Sequence, residues 1–301
     1  MPSARTVTDA ADAFLARATA PTTRRSYGQT MSALIAAYGD RPLDALDGPA
    51  VAELAADSWG TLAPATWNRH VATLRSFTAF CRRTGPLQVD LCAGLERRPE
   101  KTDRTKAVAD TSLERLFRRE DVPVREKCLW RLLYETAARA QEVLSLNVED
   151  LDLDNKRART TSKGGDTEWL HFQSGSARLL PRVIAGRQTG PLFLADRRPA
   201  PARTPATVDV CPATGRGRLS YERAEYLFKR HSQRISRNGL TLHQLRHSAL
   251  TTLADANVSL PLLMGKSRHK NLRSLQRYVH PSAEAVAAMT AAHDPARRRQ
   301  H

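Results

Sequence analysis

Apolar residues recur three and four apart through most of the first third of the chain. Val7 to Ala18 sets Ala10, Phe14 and Leu15 on one stripe. Thr23 to Tyr38 repeats the pattern with Tyr27, Met31, Leu34 and Ile35, and Gly39 follows where a helix C-cap is expected. Pro49 to Ala56 is a shorter candidate. Ala65 to Arg83 is the strongest, with Val71, Leu74, Phe77, Thr78 and Cys81 on one face, closed by Gly85-Pro86. Four short helices with polar links predict a small helical bundle.

The pattern then stops. Arg97 to Val108 has no apolar residue before Ala107 and carries charges of both signs, the composition of an interdomain linker. Beyond it, Thr111–Phe117 and Arg125–Ala138 are predicted helices, the second burying Leu129, Leu132, Leu133 and Thr136, and Glu142–Leu146 adds a helical turn. Leu151–Thr161 and Thr167–Phe172 flank Lys163-Gly164-Gly165-Asp166, a β-hairpin signal with glycines where positive φ is needed. Asp196–Gly217, rich in Pro, Arg and Thr, predicts a long surface loop. Helices are expected again over Tyr221–Ile235, Thr241–Ala254 (opened by Thr241 and Gln244 at capping-box spacing), Leu260–Met264 and Leu272–Val279, with a helical tail. The expected organisation is a helical domain over 1–96, a linker over 97–108, and a mainly helical second domain with a small sheet over 109–301.

Charge sharpens this division. The net charge is +16, yet residues 1–96 hold nine basic and nine acidic side chains, so the whole excess lies beyond them. A field of that sign gathers polyanions, of which nucleic acid is the commonest; an Arg-rich solubilising surface is the plainer reading. An apolar share of 41% suffices for folded cores. Cys81, Cys92, Cys128 and Cys211 are widely spaced with no C-x-x-C pair, which argues against a disulfide framework and a thiolate zinc site. No apolar run has the length of a membrane span, and MPSARTVTDAADAFLARA lacks the apolar core of a secretory signal. The expected setting is the cytoplasm, in association with the nucleoid.

Four local patterns carry chemistry. In Thr136-Ala-Ala-Arg139-Ala-Gln-Glu142 an arginine sits where the helix pattern breaks, and the acid three residues on is placed to hold its guanidinium, leaving the outer fork for a phosphate. An ordinary i,i+3 surface pair has the same spelling. Lys163 at the hairpin tip is a proton donor that a hairpin can push into a DNA groove, or simply a solvated turn lysine; no G-x-x-x-x-G-K-[ST] is present. Leu242-His243-Gln244-Leu245-Arg246-His247 places His243 and Arg246 on the first turn of a capped helix, where free N–H groups favour an anion. His243 and His247 are four apart, but Gln244 stands where HExxH has Glu and no third ligand is evident, so no metal is expected. Lastly, Tyr278 follows six basic side chains between Lys266 and Arg277, His269 among them; such surroundings favour phenolate and bring a phosphodiester to it, although most tyrosines are amphipathic core residues.

In this order the residues resemble the tyrosine recombinase family, the phage integrases and their chromosomal and transposon relatives. That family's pattern is an arginine in a T-G-x-R-x-x-E-like run, a hairpin lysine, an H-x-x-R box, a histidine or tryptophan, and a tyrosine nine residues beyond. Arg139, Lys163, His243, Arg246, His269 and Tyr278 match it in sequence. Two positions depart: the usual glycine of the first run is Ala137, and the residue before the histidine, commonly glycine, is Arg268. The resemblance implies a core-binding (SAM-like) helical domain followed by an α+β catalytic domain, and cofactor-independent, site-specific cleavage and rejoining of double-stranded DNA through a 3′-phosphotyrosyl link. It implies Tyr278 as nucleophile; Arg139, Arg246 and His269 on the phosphate; Lys163 as acid and His243 as proton acceptor or phosphate holder, with Glu142 and His247 supporting them. Arg69, Arg75, Lys101, Arg104, Lys106, Lys270 and Arg273 are candidates for DNA contacts. A homotetramer on DNA is expected, with residues 282–292 as a docking helix and an accessory DNA-bending protein as a candidate partner. A type IB topoisomerase, or a catalytically silent DNA-binding protein on the same scaffold, are the rival readings.

Overall fold

The computed structural model describes residues 5–85, 87–100, 107–161, 167–200, 205–269, 271–272, 275 and 290–291. It divides into two compact units, Met1–Thr102 and Asp103–His301.

The first unit is helical: α1 (Val7–Ala16), α2 (Pro21–Tyr38), α3 (Gly48–Trp59) and α4 (Pro64–Arg83). The apolar stripes meet in one core in which Phe14 stacks on Tyr27 (centroids 5.0 Å apart) and meets the edge of Phe77 at 5.6 Å, over Met31, Leu34, Val51 and Leu74. Gly39 does follow α2, but in a right-handed conformation with φ −51°. Its reason is space: a Cβ there would lie 2.7 Å from the Ile35 carbonyl and 2.8 Å from Thr8 Oγ1, which donates to the Gly39 carbonyl at 3.0 Å.

The stretch expected as a linker is fastened at both ends. Arg98 exchanges hydrogen bonds with Asn68 (both 2.8 Å), donates to the Gly60 carbonyl, and lies over the Trp67 ring at 4.0 Å. Val108 N–H donates to Ser248 Oγ in the second unit. Residues 101–106 lie outside the described residues.

The second unit is built around α6 (Val124–Thr136), whose Cys128, Leu129, Trp130, Leu132 and Leu133 are all buried. Burying each such side chain stabilises by about 1.5–3 kcal/mol, which explains why this helix and not a neighbour is central. Around it lie α5 (Asp110–Arg118), α7 (Ala140–Leu144), α9 (Tyr221–Ser232) and α10 (Leu242–Asp255), followed by α11 (Leu260–Ser267). A three-stranded antiparallel sheet has the order β1 (Leu151–Asp152), β2 (Arg157–Thr161), β3 (Thr167–His171). The segment read as one strand over 151–161 is thus two, broken by a turn in which Lys156 takes φ 51°. In β2–β3, Ala158 pairs with Leu170 on the buried face, and Arg159 with Trp169 on the other.

One helix had no signal in the sequence. Helix α8 (Ser174–Ile184) opens on Ser-Gly and contains Pro181, all poor helix formers. A residue far away completes it: buried Glu135 on α6 accepts from Gln173 N–H at 2.8 Å and Ser176 N–H at 3.1 Å, occupying the orphan donors and the positive end of the dipole. Gly175 is needed there, because a Cβ would collide with the Glu135 carboxylate. The expected 196–217 loop is likewise no loose excursion in its described part. Arg218 at its end donates to Asp209, to the carbonyls of Leu144 and Leu146, and to Asn147.

Candidate active site

Two chain reversals make the site, and each uses a residue other than glycine in the left-handed region. Helix α6 stops because Ala137 takes φ 49° and ψ 29°; Thr136 Oγ1, having donated to the Leu132 carbonyl, accepts from Ala138 N–H at 3.2 Å. That turn makes Arg139 the cap of α7. Glu142 reaches back to it twice, accepting from the Arg139 backbone N–H at 2.8 Å and from Nη1 at 2.7 Å. The Arg139 side chain stays 49% exposed.

Helix α10 begins as its capping spacing predicts, with Thr241 N–H donating to Gln244 Oε1 at 2.8 Å. Its first turn carries His243 on the exposed side, while Leu242 and Leu245 enter the core. Arg246 follows Leu245 inward and is only 2% exposed. Its guanidinium is held by backbone: Nη1 donates to the Ala137 carbonyl and Nη2 to the Ser267 carbonyl, both at 2.6 Å. The second reversal, Arg268 at φ 55° and ψ 36°, ends α11 and turns the chain so that His269 Nε2 stands 3.2 Å from Arg246 Nη2. Since the guanidinium can only donate, the ring accepts at Nε2 and carries its proton on Nδ1, 2.8 Å from Ser267 Oγ. Ala137, Leu250, Leu263 and Leu275 form a small apolar cluster in the same part of the unit.

Arg139, Glu142, Arg246 and His269 are therefore brought into one corner, from segments 109 residues apart in the Arg246–Ala137 bond. His243 shares the first turn of α10 with Arg246; His247, a turn further on, is buried and lies 3.4 Å by Nδ1 from Thr251 Oγ1. In the bundle unit, Arg69 is exposed and shares its guanidinium between Gln29 Oε1 (2.8 Å) and His70 Nε2 (3.2 Å), while Arg75 donates to the Leu95 carbonyl. Lys101, Arg104, Lys106, Lys163, Lys270, Arg273 and Tyr278 lie outside the described residues, as does the expected docking segment apart from 290–291.

Sequence reading missed Arg268. Its side chain is 7% exposed and donates to Glu142 Oε2 at 2.6 Å, opposite Arg139, while Nε lies 3.5 Å from Glu168 Oε2 on β3. Burial pushes the Glu142 carboxyl up, but the Arg268 charge and the hydrogen bonds from both arginines outweigh it, so Glu142 sits below the usual carboxylate range. Lys266 makes a second tie to the strand, Nζ donating to the His171 carbonyl at 2.7 Å; burial, and then the Arg268 charge, hold its pKa below the ordinary lysine value. A cleft of about 630 Å³ opens here, with Trp169, Leu262, Lys266 and His269 among its lining. No chain pattern announced these ties, because a basic residue beside a motif histidine reads as surface charge.

The corner thus sets the buried Arg246 guanidinium against the His269 ring, with Arg139 held nearby through Glu142. Residues 106–285 match the model described as the phage integrase family. The chain therefore belongs to the phage integrase family and is a tyrosine site-specific recombinase. Among similar proteins is the tyrosine recombinase XerC of Mycobacterium tuberculosis, 27% identical over 305 residues, covering 91% of this chain and 92% of the relative. XerC of a Roseiflexus species is 26% identical over 224 residues, 72% of this chain and 69% of its own. The fold is shared with the Tn1549 transposon integrase in complex with a circular intermediate DNA (TM-score 0.71, 16% identity, 96% of this chain and 99% of that one). It is shared also with a lambda integrase tetramer bound to a Holliday junction (TM-score 0.70, 14% identity, 93% and 78%). Among the described residues no helix is long and apolar enough to cross a membrane.

Proposed function

We propose that this chain cleaves and rejoins double-stranded DNA at specific sites through a covalent link to Tyr278, with Arg139, Arg246 and His269 on the scissile phosphate. The observation that carries the reading is Arg246: a guanidinium buried in the unit, fixed by two carbonyls and touching His269. Burying a cation is costly, and neutral donors could satisfy the two carbonyls without that cost. A fixed cation beside an imidazole is what a phosphorane-like transition state needs, because donors set in advance spend nothing on reorganising as charge develops.

The chemistry then follows. Tyr278 Oη attacks phosphorus, the bond from phosphorus to the 5′-oxygen breaks, and Lys163 gives that oxygen its proton while His243 takes or relays the proton of the phenol. The arriving phosphate accepts from Arg246 and from a protonated His269, taking the place of their mutual contact. Arg139 presents its outer N–H groups from the surface, its inner ones being committed to Glu142. Rejoining is the reverse attack by a 5′-hydroxyl on the phosphotyrosine, so no nucleotide is consumed. Likeness to the lambda integrase tetramer supports a tetramer on DNA as the assembly that exchanges strands. Lys101, Arg104, Lys106, Lys270 and Arg273, with Arg69 and Arg75 of the bundle, are proposed to meet phosphates.

The test is a pool of nicked suicide duplexes of randomised sequence incubated with the full chain. The wild type is expected to form a covalent adduct with a selected subset of sequences, and Tyr278→Phe to form none. Equal adduct from both, or none from the wild type with tight binding, would leave a DNA-binding protein without this chemistry.

A further inference from the structure

Arg268 occupies a backbone conformation that suits glycine and costs any side chain free energy, at φ 55°. Its side chain does not extend into solvent from that turn but is 7% exposed. It meets two carboxylates on different elements: it donates to Glu142 on α7 at 2.6 Å, and its Nε forms a longer ion pair, without a hydrogen bond, with Glu168 on β3 at 3.5 Å. Glu142 in turn holds Arg139 by backbone and side chain. We propose that Arg268 is a positioning residue that couples the β2–β3 hairpin to Arg139, through Glu168 on one side and Glu142 on the other. The hairpin that carries Lys163 and the turn that carries Arg139 are then set by one guanidinium, next in the chain to His269. Lys266, bonded to the His171 carbonyl on the same strand, reinforces the hairpin end of the coupling. The coupling itself is a property of the folded chain; its consequence for cleavage rests on the recombinase reading.

Arg268→Gly is the informative variant, because glycine accepts the turn and leaves the backbone path intact. Arg268→Lys, a point charge able to satisfy one carboxylate at a time, and Glu168→Gln, which cuts only the hairpin arm, accompany it. In the free protein, hydrogen exchange of the β3 amides should quicken at least tenfold in Arg268→Gly and in Glu168→Gln, with the α9 amides unchanged. On the duplex that the wild type selects from the randomised pool, Arg268→Gly should cleave at least tenfold more slowly, with DNA affinity within twofold and Arg268→Lys in between. The acid limb of cleavage should move to higher pH, since Glu142 would then face only Arg139 and would take a proton sooner. Unchanged β3 exchange in both variants overturns the proposal, as does cleavage within twofold of wild type with an unmoved acid limb. Should Arg268→Gly not fold, Glu168→Gln decides by the same β3 exchange. Quickened exchange alongside a wild type that forms no adduct would instead sink the recombinase reading and leave the coupling standing.

Discussion

The two motif arginines of this chain are held in opposite ways. Arg246 is buried and held by two carbonyls that bear no net charge and cannot titrate, with His269 beside them. Arg139 is half exposed and held by a carboxylate, Glu142, that a proton can neutralise. The backbone-held cation keeps nearly its full charge for a phosphate, and its two carbonyl bonds do not titrate; only its contact with His269 Nε2 does. The carboxylate-held one is partly neutralised, screened by water, and adjustable through whatever else touches Glu142. Fixity and tunability are thus divided between two residues of the same type.

The strongest way to break that comparison is Arg246→Met, which keeps the volume and removes the donors. The carbonyls of Ala137 and Ser267 would lose partners at roughly 1–3 kcal/mol each, and cleavage should fall by about 10²–10³-fold, as when one preorganised donor is removed. Chemical denaturation and single-turnover cleavage measure the two; a variant as stable and active as wild type would mean Arg246 is neither fixed nor used. A smaller effect is expected from Glu142→Gln. The loss of charge-assisted bonds to a half-exposed arginine should slow cleavage by about tenfold, the low end of what such bonds contribute. The same variant tests pH. Glu142 has a folded pKa depressed below its usual 4.5, so its stabilisation is fully present above that value and is lost as pH falls through the folded pKa. Glu142→Gln should therefore flatten the acid end of a stability profile, whereas the carbonyl bonds of Arg246 contribute no such limb.

The smallest effect lies in the bundle and sets a control for the pH argument. His70 is buried between Trp59, stacked at 4.2 Å, and Thr30 Oγ1, 2.9 Å from Nδ1. Burial first, and the nearby Arg69 charge second, hold its pKa below the ordinary 6.5. The unfolded chain then binds the proton more readily, so the bundle's stability is full above 6.5 and declines as pH falls below it, by at most about 1.4 kcal/mol per pH unit for one proton. Hydrogen exchange of the α4 amides at pH 7.5 and 5.5 should show the decline in the wild type and not in His70→Gln. A decline of equal size in both would trace it to another group.

Among the described residues the amino-acid order by itself determined the helices of both units apart from α8, because their apolar stripes are local and periodic, and it determined where the chain is neutral and where it is basic. It also displayed the motif residues, since each sits beside a legible local signal: the end of a helical run before Arg139, a capping box before Arg246. What the tertiary structure alone decided was how those residues are held. Helix α8 exists because Glu135, from a different helix, supplies its missing cap. Gly39 is glycine because Thr8 approaches it. Arg246 is fixed by carbonyls of Ala137 and Ser267, and Arg268 by Glu142 of α7 and the Lys266 carbonyl, with Glu168 of β3 as a longer ion pair. Periodicity and capping act between neighbours a few residues apart, so a sequence spells them out; a hydrogen bond across a hundred residues depends on which backbone groups the folded chain leaves without partners, and no local pattern carries that.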